Sequence, residues 1–481
     1  MSRYTLLPFQ FCRTDRNDML LVNECGDFLF LPDHVFERFI HHELQEEDEF
    51  FRRLKSHLFC AEEDLDTALQ KIAARYRTRK SFLRDFTTLH MLVTTLRCNQ
   101  RCSYCQVSCA EKEASRYDMD RETAFRAVDM MLQAPTKHPK LEFQGGEPLL
   151  HWEVVESTVA YAEQMAGRMG KEVSFVLCTN LTAATREQLE FCRDHDIVVS
   201  TSLDGDAFLH DACRKDRHGR GTYHVFMEKL TLARDILGKD RVGALMTTTS
   251  FSLHHLKDVV DEYVRLGMDG IFLRSLNPYG FAAEDAATLG YPMESFVENY
   301  LEALRYIMEL NKTVFFPEHF ATLLFSRILS PFATGFVDLQ SPSGAGISGV
   351  IYDFDGSVFP SDEARMLARM GDRHFCLGNV KIDKYKDIFG SRLKKLTAGA
   401  CLETTFPCAF CVYQAYCGTD PVRNYLETGS EQRNMTHAPF CIKHKGILAG
   451  LFDILRHADD TARDIIWSWI TGNADLVSRP C

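Results

Sequence analysis

Cys98, Cys102 and Cys105 stand in the run Leu96-Arg97-Cys98-Asn99-Gln100-Arg101-Cys102-Ser103-Tyr104-Cys105, a CxxxCxxC loop directly after the apolar, Thr-rich stretch Leu92 to Leu96. Thiolates are the preferred ligands of iron-sulfur clusters, and a cubane cluster has four irons, so three close cysteines leave one iron for a non-protein ligand. Zinc is the competing occupant. It normally takes cysteines in CxxC pairs and needs a fourth protein ligand to close its tetrahedron.

A second motif follows in Leu141-Glu142-Phe143-Gln144-Gly145-Gly146-Glu147-Pro148-Leu149-Leu150, which reads as a buried strand ending in a glycine turn with one carboxylate. Paired glycines let a ligand approach the backbone closely, and Glu147 can hold an amine. A GGEP turn alone is also what a plain strand-to-helix loop looks like. Together the two motifs resemble the radical S-adenosylmethionine (SAM) superfamily. The resemblance implies that SAM chelates the free iron through its amino and carboxylate groups, and that the reduced cluster cleaves it to a 5'-deoxyadenosyl radical that abstracts hydrogen. It assigns Cys98, Cys102 and Cys105 as ligands of a [4Fe-4S] cluster, Gly145, Gly146 and Glu147 to the SAM amine, and Tyr104 to the adenine. Cys109 falls outside the motif and reads as a small buried or free thiol.

Composition fits a cytoplasmic enzyme. The 481 residues, 45% hydrophobic, suffice for two or three domains. No signal-peptide pattern opens the sequence and no apolar run reaches spanning length, so no membrane partner is expected. The 17 cysteines are odd in number and clustered in metal-like spacings, which favours ligands in a reducing compartment over a disulfide framework. A net charge of -12 disfavours nucleic acid as a partner.

Residues 1–85 look separate. Met19 to Val22 and Phe28 to Leu31 flank Gly26-Asp27 as a hairpin would, followed by helical patterns from Asp33 through Phe51 and from Glu62 to Tyr76. This order resembles the winged-helix-like recognition element (RRE) with which maturases of ribosomally made peptides grip a leader peptide by strand addition. The alternative is a cap over the barrel. From residue 86 to 310, strands expected at His90 to Thr95, Lys140 to Phe143, Ser174 to Cys178, Ile197 to Ser202, Arg241 to Thr247 and Gly270 to Leu273 alternate with amphipathic helices. The expected fold class is therefore α/β, a partial (β/α)6 TIM-like barrel with ligands at the C-terminal strand ends. Thr179 and Asn180 end one strand. Ser202-Leu203-Asp204-Gly205, with His210-Asp211, Arg214 and Gly219-Arg220-Gly221-Thr222, resembles a signature of peptide-modifying radical SAM enzymes, which implies that Ser202 and Asp204 face the SAM ribose or the substrate. Arg274 is a candidate for the SAM carboxylate or adenine, or else a salt-bridged rim residue.

After linking helices at 311–340, residues 341–481 hold Cys401, Cys408, Cys411, Cys417 and Cys441. Cys408, Cys411 and Cys417 give CxxCxxxxxC, with Cys441 able to close a four-thiolate site for a cluster or for zinc. The segment resembles the SPASM auxiliary-cluster domain, with Tyr352 to Pro360 and Leu377-Gly378-Asn379-Val380 matching its hairpin and LGN turn. The chain departs from that pattern at Ser343, at Ser361, and at Asp420-Pro421, where cysteines are usual. One auxiliary [4Fe-4S] cluster, on Cys408, Cys411, Cys417 and Cys441, is expected, with Cys401 spare and Cys376 structural.

The finer resemblance is to the maturase of the His-Xaa-Ser repeat peptide system. It rests on Tyr4-Thr5-Leu6-Leu7-Pro8-Phe9, Leu20 to Gly26, Tyr104-Cys105-Gln106-Val107-Ser108, Glu142 to Pro148 and Cys417 to Tyr425. It implies a precursor peptide bound through its leader, an electron donor such as flavodoxin or ferredoxin, a second radical SAM maturase of the same system, and an oxidative change such as a side-chain crosslink. Glu142, Asp204, Tyr279 and His319 are candidate bases that can equally be structural. A sulfatase-type maturase making formylglycine, and a non-catalytic metal scaffold, are the rival functions.

Overall fold

Gly26-Asp27 turns the chain as the hairpin pattern predicts. In the computed structural model, which describes residues 4–14, 18–62, 64–432 and 436–476, the backbone N–H groups of Cys25 and Asp27 donate to Asn23 Oδ1 at 3.1 and 2.9 Å. An Asx-type turn of this kind is what such a residue favours. Two compact units divide the chain: Met1–Arg84 with Leu323–Gly344 and Gly399–Arg463, and Asp85–Thr322 with Ala345–Ala398 and Asp464–Cys481. The expected 341–481 segment is thus shared between the two.

In the first unit, β1 (Thr5–Leu6) pairs antiparallel with β5 (Cys60–Ala61), while β2 (Phe9–Arg13), β3 (Asp18–Asn23) and β4 (Phe28–Pro32) form an antiparallel meander with β3 central. The helical pattern from Asp33 to Phe51 is broken into helices Asp33–Ile40 and Glu49–Ser56. Asp48 starts the second by accepting from Phe50 N at 2.9 Å, and Asp64 likewise starts helix Leu65–Arg79 by accepting from Thr67 N. Leu21, Leu31, Phe39, Leu44, Leu54 and Phe59 form the buried centre. Distant segments complete it. Phe452, on helix Pro439–His457, sets its ring edge-on against Phe28 (5.1 Å) and Phe30 (6.3 Å) and packs on Tyr413 and Tyr416. Tyr416 Oη donates to Gly26 O at 2.9 Å, and Gln10 Nε2 to Ala409 O at 3.1 Å.

The second unit is built on β6 (Leu89–Thr95), β7 (Lys140–Gly145), β8 (Ser174–Cys178), β9 (Val198–Ser202) and β10 (Val242–Leu245), parallel in the order β10-β9-β8-β7-β6. Beyond β6 come β11 (Gly349–Tyr352), parallel to it, and then β12 (Ser357–Phe359) and β13 (Gly378–Asn379), both antiparallel. The sixth expected barrel strand, Gly270 to Leu273, makes only an isolated bridge from Ile271 to Glu318. Its pairing is diverted because Leu273 N donates to the buried carboxylate of Glu318 at 3.0 Å instead of to a strand. The sheet therefore has five of the six expected parallel strands in barrel order, and a sixth parallel strand, β11, is added beyond β6.

One face of this sheet is closed. Leu141, Phe143, Phe175, Leu177 and Val199 are buried, as strands covered by crossover helices require. The alternating positions Glu142, Gln144, Cys178, Ser200 and Ser202 are half-buried and polar. No helix among the described residues is long and apolar enough to cross a membrane.

Truncating Phe452 to Ala removes four aromatic contacts at once and should destabilise the first unit by about 3–5 kcal/mol. Chemical denaturation should show the loss in a transition that leaves the parallel sheet's own transition in place.

Candidate active site

The glycines of the GGEP turn are required by the protein's own backbone. Gly146 N donates to Thr95 O at 2.8 Å and Glu147 N to Arg97 O at 2.7 Å. A Cβ on Gly145 would overlap Thr95 O, and one on Gly146 would overlap the carbonyls of Leu96 and Arg97. The turn after β7 is thus a seat for the start of the cysteine loop. The other side of that loop is gripped by the segment after β9. Arg101 N donates to Lys215 O, Ser103 N to Cys213 O, and Arg217 Nε to Cys98 O at 3.0 Å. Asp211 accepts from Thr222 N and Tyr223 N, which closes the gripping segment on itself.

Glu147 is fully buried. Its carboxylate accepts from Thr179 Oγ1 (2.6 Å), Asn180 N (2.8 Å) and Leu149 N (3.1 Å), and burial pushes its pKa up to about 7. An ammonium brought against the remaining lone pair would favour the charged form. The structure therefore brings Glu147, Thr179 and Asn180 together. Asn180 Nδ2 also donates to Asn99 Oδ1 at 2.8 Å and lies 3.7 Å from Cys98 Sγ, linking the turn after β8 to the first cysteine.

Asp204 is 2% exposed and its carboxylate is occupied. It accepts from Tyr104 Oη at 2.5 Å, Arg214 Nε at 2.9 Å and Thr247 N at 3.1 Å. Arg214 also stacks over the Tyr104 ring and points Nη1 toward Cys102 Sγ at 3.9 Å. Asp204 and Tyr104 thus form a knot behind the second cysteine. Ser202 is half-buried on the polar face of the sheet. Arg274 is half-buried, with its carbonyl accepting from Thr248 N, and makes no ion pair among the described residues. Cys109 is buried, with Arg217 Nη2 3.6 Å from its sulfur.

Of the candidate bases, Glu142 lies on the polar face, accepting from Gln144 Nε2 at 2.5 Å. Tyr279 is buried, and burial lowers the pKa of His319. The residues not anticipated are Cys178, whose thiol is raised by burial and by Glu142 beside it, and Asp362 and Arg365 on helix Asp362–Arg369. The period-two burial of β7 and β8 carried a signal for Cys178. Nothing in the sequence near Arg365 pointed to the sheet.

Burial pushes the Cys417 thiol up to about 12, and the thiols of Cys411, Cys408 and Cys441 add to the shift from nearby. Asp420 instead starts a helix, accepting from Val422 N and Arg423 N at 3.0 Å. Among the described residues no three His, Cys, Asp or Glu side chains meet where one metal ion would bind. A cluster does not require that convergence, since each iron takes its own thiolate. The donor set fits such a group: burial also raises the Cys102 thiol to about 12, against the pull of Arg214, so it needs a cationic partner to ionise.

Gly146→Ala should displace the Leu96–Arg97 carbonyls and lower iron retention after anaerobic reconstitution at least several-fold with the circular dichroism spectrum unchanged. Gly167→Ala, with no atom within 4 Å of the added carbon, should leave iron binding as it is.

Residues 92–273 match the Radical SAM superfamily model. The chain is 20% identical over 349 residues to the cysteine-type anaerobic sulfatase-maturating enzyme of Clostridium novyi, covering 70% of this chain and 88% of that one. It is 26% identical over 188 residues to an uncharacterised protein of Methanocaldococcus jannaschii, spanning 39% of this chain and 62% of the archaeal protein's length. In fold it is similar to native anSMEcpe with bound AdoMet (TM-score 0.61, 18% identity, 77% of this chain and 100% of that one). It is similar also to Streptococcus suis SuiB bound to precursor peptide SuiA (TM-score 0.54, 12% identity, 89% and 98%). The two-sided seating of a CxxxCxxC loop after β6 is accordingly the heart of a radical SAM domain, homologous to that of the anaerobic sulfatase-maturating enzymes and sharing its fold with SuiB.

Proposed function

We propose that the protein is a radical SAM maturase that oxidises side chains of a ribosomally made precursor peptide in the cytoplasm, with His-Xaa-Ser repeats as the substrate class and a crosslink as the product. The observation that carries this reading is the first unit, where a three-stranded meander with three helices packs directly on the segment bearing Cys408, Cys411 and Cys417. Strands β2 and β4 each keep one edge without a strand partner among the described residues, and an open edge accepts an extended peptide by strand addition. We assign residues 1–85 as an RRE-like domain, and Cys408, Cys411, Cys417 and Cys441 as ligands of an auxiliary [4Fe-4S] cluster in a SPASM-like domain. Flavodoxin or ferredoxin is the electron donor and a second maturase of the same system the protein partner.

Cys98, Cys102 and Cys105 would hold the [4Fe-4S] cluster, which with SAM supplies hydrogen abstraction from an unactivated carbon. The chain's own residues do the rest. Glu147, its carboxylate held in place by Thr179 and Asn180, would accept from the SAM amine. Ser202 would face the SAM ribose or the substrate, and Arg274 the SAM carboxylate or adenine. The polar face of β7 to β9 positions the peptide carbon. Glu142, on that face, would take the proton that leaves during net oxidation, and the remaining electron would pass to the auxiliary cluster on Cys408, Cys411, Cys417 and Cys441.

A second reading, a sulfatase-type maturase making formylglycine, is favoured by the relatives of that name. The two are separated by supplying SAM, reductant and either a full precursor peptide or a short leaderless peptide containing Ser or Cys. The maturase reading expects a product lighter by two hydrogens from the full precursor and none from the short peptide. Modification of the short peptide alone would replace it with the sulfatase-type reading. Glu142→Gln should cut peptide oxidation by about 10²–10⁴-fold while SAM cleavage continues, a loss read as unproductive 5'-deoxyadenosine by liquid chromatography.

A further inference from the structure

Arg365 is fully buried. Its Nε donates to Asp362 Oδ1 at 2.9 Å, and Nη2 lies 2.7 Å from the same oxygen as an ion pair. That second approach lacks hydrogen-bond geometry, and neither Nη1 nor Nη2 has a hydrogen-bond acceptor among the described residues. Buried donors are almost always satisfied, and a guanidinium has a planar fork built to meet an anion with both outer nitrogens.

β11 runs parallel to β6 with Tyr352 opposite Leu92, so the chain leaving β11, with Asp353 next, emerges on the edge of the sheet from which β6 enters the cysteine loop. β12 is antiparallel to β11 and carries the chain back from that edge before helix Asp362–Arg369 begins. The last residue of that helix, Arg369, lies over the Tyr117 ring at 5.4 Å, and Tyr117 O accepts from Leu96 N at 3.2 Å at the start of the cysteine loop. Asp353 and the thiol of Cys105 are both among the groups acting on the Arg365 guanidinium, and Asp362 acts on the thiol of Cys178 on the polar face. Asp362 is only partly buried and supplies one counter-charge through one oxygen.

Resting on the reading of Cys98, Cys102 and Cys105 as cluster ligands, we propose that Nη1 and Nη2 of Arg365 donate to an anionic group of the assembly held there, so that a residue beyond the radical SAM domain completes its centre. The anion is either the sulfur of the cluster or the carboxylate of SAM at the open iron. In the first case the positive charge stabilises the added electron, and hydrogen bonds to sulfur raise the reduction potential. In the second the fork orients the amino-acid end of SAM. Either way Arg365 is a positioning residue.

The test uses the full chain, reconstituted anaerobically, as wild type, R365M, R365Q and R365K. Iron and sulfide are counted first, then the midpoint potential of the first cluster is measured by EPR-monitored titration without SAM, and then SAM affinity for the oxidised cluster. A cluster-sulfur contact lowers the reduction equilibrium of R365M and R365Q about tenfold, about 59 mV for one electron, and R365K restores most of it. A carboxylate contact leaves the potential in place and weakens SAM about tenfold or more in all three variants. Iron retention with unchanged potential and unchanged SAM affinity in R365Q and R365K overturns the proposal. A wild-type protein that assembles no iron would instead overturn the reading on which it rests.

Discussion

Two backbone hydrogen bonds, Gly146 N to Thr95 O and Glu147 N to Arg97 O, hold the candidate site together. They run between the ends of β6 and β7, and they exist only because the two glycines leave room for the carbonyls of Thr95, Leu96 and Arg97. Everything downstream depends on that seating. The loop carrying Cys98, Cys102 and Cys105 can be presented in one conformation only if its first residues are fixed, and Glu147 is delivered by the same turn to the donors at the end of β8. A buried carboxylate with three donors is well satisfied yet expensive to ionise without a cation nearby, which makes it a sensible receiver for an amine.

The segment after β9 supplies the opposing grip. Asp204, Tyr104 and Arg214 form a buried, hydrogen-bonded knot directly behind Cys102. Arg214 points Nη1 toward the Cys102 sulfur at 3.9 Å. The radical SAM domain is thus organised as a clamp in which strand ends on two sides restrain a cysteine loop that has little regular structure of its own.

Much of this was legible in the sequence, for physical reasons. Cysteine spacing and paired glycines are local signals, and the parallel strands at 140–145 and 174–178 announce themselves as short apolar runs between helical patterns. What eluded the sequence is non-local. The glycine pair suggested a ligand's approach, whereas the close neighbour is another strand end. Asp204 looked free to face a ligand, but its partners Tyr104 and Arg214 are brought to it only by the fold. Gly270 to Leu273 has the composition of a strand, and a single buried carboxylate at Glu318 takes its hydrogen bond away. The run from Asp33 to Phe51 carries one helical period, yet Asp48 prefers capping to continuing. Residues 1–85 look separate in the sequence, and the bonds of Gln10 and Gly26 to the second cysteine segment, within one compact unit, are contacts that no local pattern announces.

On the function proposed above, the chain holds one open and one closed cubane cluster. Anaerobic reconstitution with iron and sulfide counting, together with a SAM cleavage assay, tests it most directly when wild type is compared with a Cys98/Cys102/Cys105 triple alanine variant. About eight irons are expected in wild type and about four in the variant, with 5'-deoxyadenosine formation lost. Zinc with negligible iron, and no SAM cleavage under reducing conditions, would contradict it.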